Sequence, residues 1–170
     1  DNEVSEVNEN NNRIRSGSQV RLLPSRPDLR VDRVDLSTRN VDAGGTVDVT
    51  VSVTNAGSEP VNAADVTAKL SSNPVISRND GVLDSTTVTL AASTSTTVTF
   101  PVTIPPGTNS GSYYIGALAD QMGAIDEINE SNNGLSAIRP VDVQGGSVAI
   151  LTSSLPQALV GETYVALLRA

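Results

Sequence analysis

The sequence predicts an all-β fold, an immunoglobulin-like Greek-key β-sandwich of about seven strands, and three observations predict it. Apolar and polar residues alternate with a period of two in several separate stretches, which is the mark of strands with one buried face. Turn signals fall between those stretches at short intervals, and no segment carries helical periodicity. The apolar 38% of the chain is mostly Val, Ala, Leu and Ile, with one Phe and no Trp. A core built on β-branched side chains suits pleated, half-buried surfaces.

Taken in chain order, Leu29 to Leu36 is the first strand, with apolar positions Leu29, Val31, Val34 and Leu36. The alternation slips by one near Asp32 and Arg33, as a β-bulge would make it do. Thr46 to Thr54 is the clearest strand, since Val47, Val49, Val51 and Val53 alternate with Asp48, Thr50, Ser52 and Thr54. Asp65 to Leu70 and Val82 to Leu90 are weaker. Val98, Phe100, Val102 and Ile104 restore the period between Thr97, Thr99 and Thr103, and Phe100 belongs to the core. Ser112 to Ala119 is apolar on both faces, which predicts a central place in its sheet. Ser136 to Val143 is the last strand. Between them stand Ala43-Gly44-Gly45, Asn55-Ala56-Gly57, Asn79-Asp80-Gly81, Pro105-Pro106-Gly107 and Asn132-Asn133-Gly134. Each supplies a residue tolerant of positive φ or a proline with φ already fixed.

An internal repeat sets the domain organisation. Glu3 to Asn12 (EVSEVNENNN) aligns with Ala124 to Asn133 (AIDEINESNN), and an apolar strand follows in both copies. Residues 1–23 therefore read as the C-terminal end of a preceding module of the same kind. Gly145-Gly146 breaks the chain, and a new apolar pattern runs from Ser147 to Leu168, so 147–170 reads as the start of a following Ig-like or cadherin-like module. The complete domain is expected at 27–144.

Several motifs in this order resemble one known family. Pro27-Asp28-Leu29, Ala43-Gly44-Gly45-Thr46-Val47 and Val53-Thr54-Asn55-Ala56-Gly57 resemble the opening of the CARDB module, the cell-adhesion-related domain found in bacteria. Thr96 to Phe100, Gly111-Ser112-Tyr113-Tyr114 and Glu127 to Asn133 are similar to its later part. The chain departs from the pattern at Met122-Gly123, where the family often carries Asp-Asn. The resemblance implies a repeated seven-stranded spacer or adhesion module of long exported bacterial or archaeal proteins, located outside the cell or on its surface. It implies no particular ligand, because one fold serves many partners.

Composition excludes several functions. The net charge is −8, with Lys69 the sole lysine, so a nucleic-acid backbone finds no electrostatic footprint and an anionic membrane is repelled. No stretch approaches the ~20 apolar residues of a membrane span. With neither His nor Cys, the commonest general base and the usual zinc ligands are missing, and the chain is read as no enzyme. A Ser–Lys pair through Lys69 would require nucleophile and base in contact. Phe100, Tyr113, Tyr114 and Tyr164 are too few for a sugar-stacking face, and one of Tyr113 and Tyr114 is expected to make a tyrosine-corner hydrogen bond instead. An export signal is expected upstream of Asp1.

The dense polar constellation is the loop from Asp120 to Asn133. Asp120, Asp126, Glu127, Asn129 and Glu130 are its candidate metal residues, since hard carboxylate and amide oxygens are what Ca²⁺ takes in sixes to eights. The spacing is not that of an EF-hand. In the other reading no cofactor binds: Ile125 and Ile128 anchor the loop to the core while Glu and Asn side chains hold exposed backbone amides. The partners expected are neighbouring Ig-like domains of the same chain and an extracellular protein or surface ligand. Arg13, Arg15, Arg21, Arg26, Arg30, Arg33 and Arg39 mark an inter-module contact or a solvated linker. Three roles follow: a structural or adhesive spacer, an accessory module of an extracellular hydrolase, or a calcium-stiffened linker.

Overall fold

The computed structural model describes residues 25–145 together with Gly17, so the readings of 1–23 and 147–170 as pieces of neighbouring modules lie outside the described residues. Nine strands and no helix form among those residues: β1 Leu29–Leu36, β2 Asn40–Asp42, β3 Thr46–Asn55, β4 Val61–Ser71, β5 Gly81–Leu90, β6 Thr94–Thr103, β7 Gly111–Ala119, β8 Gly134–Ser136 and β9 Val141–Gln144. They make an immunoglobulin-like sandwich of two sheets, β1-β3-β6 and β2-β9-β7-β4-β5, with β8 also paired to β7.

The three-stranded sheet follows from alternation alone. Val47, Val49, Val51 and Val53 of β3 are fully buried, and β6 lies antiparallel beside it with Phe100 and Val102 turned inward. On the outer face the same register puts hydroxyls opposite one another. Thr50 and Thr99 are hydrogen-bonded at 2.9 Å, Ser52 and Thr97 at 2.9 Å, and Thr54 and Ser95 at 2.6 Å. The expected slip in β1 is a bulge, with Val31 paired to Val53 and Arg33 to Ser52, which leaves Asp32 as the extra residue.

In the larger sheet β7 is central, as its two apolar faces required. It lies between β4 and the pair β8 and β9, and Ile115 to Ala119 are buried without a break. Two features differ from the sequence expectation. Residues 136–143 are not one strand: β8 pairs with Gly116–Leu118 and β9 with Gly111–Tyr113. Between them Ile138 is almost fully exposed and Pro140 offers no N–H to a ladder. The short β2 carries no alternation in the sequence; it runs parallel to β9 and buries only Val41, too little to show a period.

The chain enters and leaves this sandwich at opposite poles. At the entry pole Leu29 pairs with Asn55, the far end of β3. The amides of Ala56 and Ser58 donate to the carbonyls of Asp28 and Arg26, and that of Ile128 to Pro27. At the exit pole Gln144 pairs with Asp42, its carbonyl accepts from the Ala43 amide, and the Gly44 amide reaches Ile104. Gly44 sits at φ +85, where glycine meets no Cβ penalty. Tyr113 makes the expected tyrosine-corner bond near this pole, its hydroxyl donating to the Asn109 carbonyl at 3.1 Å.

Candidate functional site

The acidic loop of residues 120–133 joins β7 to β8 at the entry pole. Its first turn is set by Asp120, which takes a left-handed φ of 46 that Asp tolerates better than most residues. From there its carboxylate accepts the Ala124 amide at 2.9 Å and the Ile125 amide at 3.0 Å. Asp65 on β4 holds the next residue, with Oδ2 accepting the Gln121 amide at 3.2 Å. Further on, Glu130 Oε1 accepts the Glu127 amide at 3.1 Å, and Asn129 Oδ1 closes its own turn on the amide and hydroxyl of Ser131. Side chains thus hold the loop's backbone amides, as one of the two readings required.

Glu127 ties this loop to the start of the domain. It is buried, its Oε2 accepts the Leu29 amide, and its Oε1 accepts the Asn133 side-chain amide at 2.7 Å. Burial pushes its carboxyl up to about 7; the Leu29 and Asn133 donors pull the other way, and the charges of Glu130 and Asp120 add to the rise. Asn132 Nδ2 donates to Asp28 Oδ1 at 2.9 Å, and Arg26 Nη1 pairs with Asp126 Oδ1 at 2.9 Å.

Of the five candidate metal residues, the fold brings three together. Carboxylate oxygens of Asp120, Glu127 and Glu130 lie within 4.8 Å of one another. Asp126 is instead turned outward to Arg26, and Asn129 to its own turn. Asn132 and Asn133, which the sequence places in the same polar constellation, and Gln121, which it does not single out, complete the picture. Among the described residues, the buried side-chain oxygens without a hydrogen-bond partner are Gln121 Oε1, Asn132 Oδ1 and Asn133 Oδ1, and all belong to this loop. Ile125 packs on the core as expected, but Ile128 does not anchor the loop: it is 59% exposed, and its contribution is the backbone bond to Pro27. That bond lays the segment along the entering chain and faces the side chain outward.

Two more buried polar residues shape the surroundings. Asn55 is fully buried at the entry pole, where its Oδ1 accepts the Asp28 and Gly57 amides and its Nδ2 donates to the Glu59 and Ala91 carbonyls. Lys69 is fully buried on β4, with Nζ donating to the carbonyls of Arg78 and Asp80 at 3.2 Å each. Burial lowers its pKa against the pull of Asp80. It therefore serves the loop that leads into β5. Beside that loop a cleft of about 340 Å³ is lined by Ile76, Arg78, Leu118, Glu130, Asn133 and Leu135, among others. Of the arginines read as an inter-module contact or a solvated linker, Arg13, Arg15 and Arg21 lie outside the described residues; Arg30 bonds to Asp32 and Arg33 to Asp35 on their own strand, while Arg26 and Arg39 reach Asp126 and the Arg139 carbonyl a hundred residues away.

The model of the CARDB family matches residues 26–137, from just before β1 to just after β8. The chain belongs to the CARDB family. This CARDB domain is similar to the crystal structure of a CARDB domain from Pyrococcus furiosus in complex with di-metal ions, at 25% identity and a TM-score of 0.53, over 72% of this chain and 97% of that one. The solution structure of that Pyrococcus domain is similar at 26% identity and a TM-score of 0.52, over 71% and 97%. No curated protein matches. CARDB is not an enzyme family; it is a cell-adhesion-related one, which fits a surface or structural module.

Proposed function

We propose that this domain is a non-catalytic spacer and adhesion module of a large exported surface protein, joined end to end with neighbouring Ig-like domains. The observation that carries the reading is the placement of entry and exit at opposite poles. A domain entered and left on one side folds the chain back, whereas this one advances it by the length of a strand. The ten residues of β3 run between the poles and span roughly 30 Å at ~3.3 Å per residue. Membership in the CARDB family supports the extracellular or cell-surface location. Small-angle X-ray scattering tests the reading on the full chain and on a version with residues 25–145 duplicated in tandem. The expected outcome is a maximum dimension larger by roughly 30 Å or more in the duplicated chain. A pair that packs side by side, with little gain in length, contradicts it.

A second reading, that calcium stiffens the module, is favoured by a specific observation. Three carboxylates converge, and three buried amide oxygens in the same loop lack donors. Oxygen ligands of this kind fit a hard divalent cation. Asp120, Glu127 and Glu130 would hold it, with Asn133, whose side chain already touches Glu127, as the amide ligand. Bound there, a cation would neutralise the mutual repulsion of the carboxylates. The related Pyrococcus domain carries di-metal ions in its crystal structure. The melting temperature of the full chain should rise with calcium over chelator, since a ligand specific to the native state must stabilise it. An unchanged value removes this reading.

A further inference from the structure

The loop that gathers the carboxylates is the same loop that grips the entering chain, and this shared use has a mechanical meaning. Four bonds run from residues 120–133 to the strap Arg26–Leu29. Asp126 pairs with Arg26, the Ile128 amide donates to the Pro27 carbonyl, Asn132 Nδ2 donates to Asp28 Oδ1, and Glu127 Oε2 accepts the Leu29 amide. On the other side the strap bonds to the turn after β3. Gly57 lies so close beneath it that an added Cβ would meet the Arg26 carbonyl oxygen at 2.2 Å and the Pro27 backbone at 2.6 Å. Arg26 is therefore held from two sides, by Asp126 of the acidic loop and by the Ser58 amide, and loosening the loop removes one of the two holds on the point where the domain begins.

We propose that a calcium-type divalent cation on Asp120, Glu127, Glu130 and Asn133 locks the joint between this module and the chain before it, by fixing the strap Arg26–Leu29 to the acidic loop. The inference rests on the cation reading above and adds to it a place of action. The acidic cluster is not alone in pointing to a ligand. Asn133 is buried, with 3% exposure, its Nδ2 donates to Glu127 Oε1 at 2.7 Å and so seats the side chain beside the cluster, and its Oδ1 has no donor. A carboxylamide oxygen left bare in a buried site costs free energy that a bound cation would recover.

Glu127 is the coupling residue, because one carboxylate serves both the cluster and the Leu29 amide. With the cation bound, the carboxylates stay together and the strap stays closed. Without it, repulsion among Asp120, Glu127 and Glu130 loosens the loop, and the four strap bonds loosen with it. Leu29 stays with β1, where its side chain is fully buried, so up to three residues, Arg26 to Asp28, then join the linker, which extends by roughly 10 Å at ~3.3 Å per residue. A joint that is short and fixed with the ion becomes longer and mobile without it.

The test uses the full chain in two measurements. Calorimetric titration with calcium establishes whether the ion binds, and hydrogen exchange followed by NMR reads the Leu29 and Ile128 amides with calcium and with chelator. The expected result is binding together with at least ~10-fold slower exchange at these two amides, while Val51 and Ala117 in the sheets respond less. Glu130→Gln, at a half-exposed side chain that the fold needs less than buried Glu127, should lose both the binding and the response. Calcium that binds without slowing the Leu29 and Ile128 amides overturns the lock and leaves the cation site standing. No binding heat, and no change in any amide on adding calcium, overturns both.

Discussion

The β1-β3-β6 sheet and the 120–133 loop lie in one domain but are held by different physics. In the sheet, Val47 to Val53 are buried because every second side chain of an extended strand faces the same way, and each is replaceable by another apolar residue of its size. In the loop, Asp120, Glu127, Glu130 and Asn132 each hold a particular backbone amide or side chain, two of them across about a hundred positions of sequence. The sheet depends on pattern and volume, the loop on identity. Where the two meet, at Leu29, a fully buried core side chain stands on a strand whose amide belongs to the loop's Glu127.

Substitutions can break this contrast or sharpen it. The largest effect is expected where volume alone matters. Ile115→Ala, at a fully buried position in β7, should cost about 2–5 kcal/mol in denaturant titration, with the cavity deciding the value. In the loop, Glu127→Ala removes little apolar volume but leaves the buried Leu29 amide and the Asn133 amide without an acceptor, for a loss of roughly 2–3 kcal/mol in the same measurement. If it proves as mild as a surface change, the loop is not held as described. Thr99→Val, on the outer face opposite Thr50, should shift stability by no more than about 0.5 kcal/mol, because exposed hydroxyl pairs exchange readily with water.

A pH series separates the two regions without mutation, since the sheet has no buried titrating group in β3 or β6 while the loop has Glu127. Its carboxyl sits near 7 in the folded chain against an ordinary 4.5, so the folded state favours the protonated form. The stabilisation is fully present below pH ~4.5 and lost as pH rises through about 7. In calcium-free buffer, thermal melts should therefore show stability falling across that window by on the order of 2–3 kcal/mol. Glu127→Gln should flatten the fall. A fall that persists in the variant assigns it to another group.

The same contrast explains what could be read in the sequence. Period-two alternation exposed β3 and β6, the one-residue slip exposed the bulge at Asp32, and two apolar faces exposed the central place of β7. All are local signals that need no knowledge of the partner strand. The split of residues 136–143 into β8 and β9 was hidden because one apolar run served two pairings, although Pro140 marked the break. Lys69 was hidden because its burial comes from a loop that folds over it, and Asn55 looked like an ordinary turn residue while bonding to four residues in three segments. In the acidic loop the composition was legible and the division of labour was not. That Glu127 turns inward and Asp126 outward depends on where Arg26 and Leu29 arrive from a hundred residues away.

The end-to-end role requires a sandwich with two poles, the chain entering beside Asn55 and leaving beside Asp42. Because the sequence has no cysteine, single cysteines placed at exposed Ser25 and Gln144 can carry spin labels at those two sites alone. Pulsed electron–electron resonance on that chain should give one distance population centred at roughly 30 Å or more, the span of a ten-residue strand. A population centred below about 20 Å would put entry and exit at the same pole and contradict the end-to-end role.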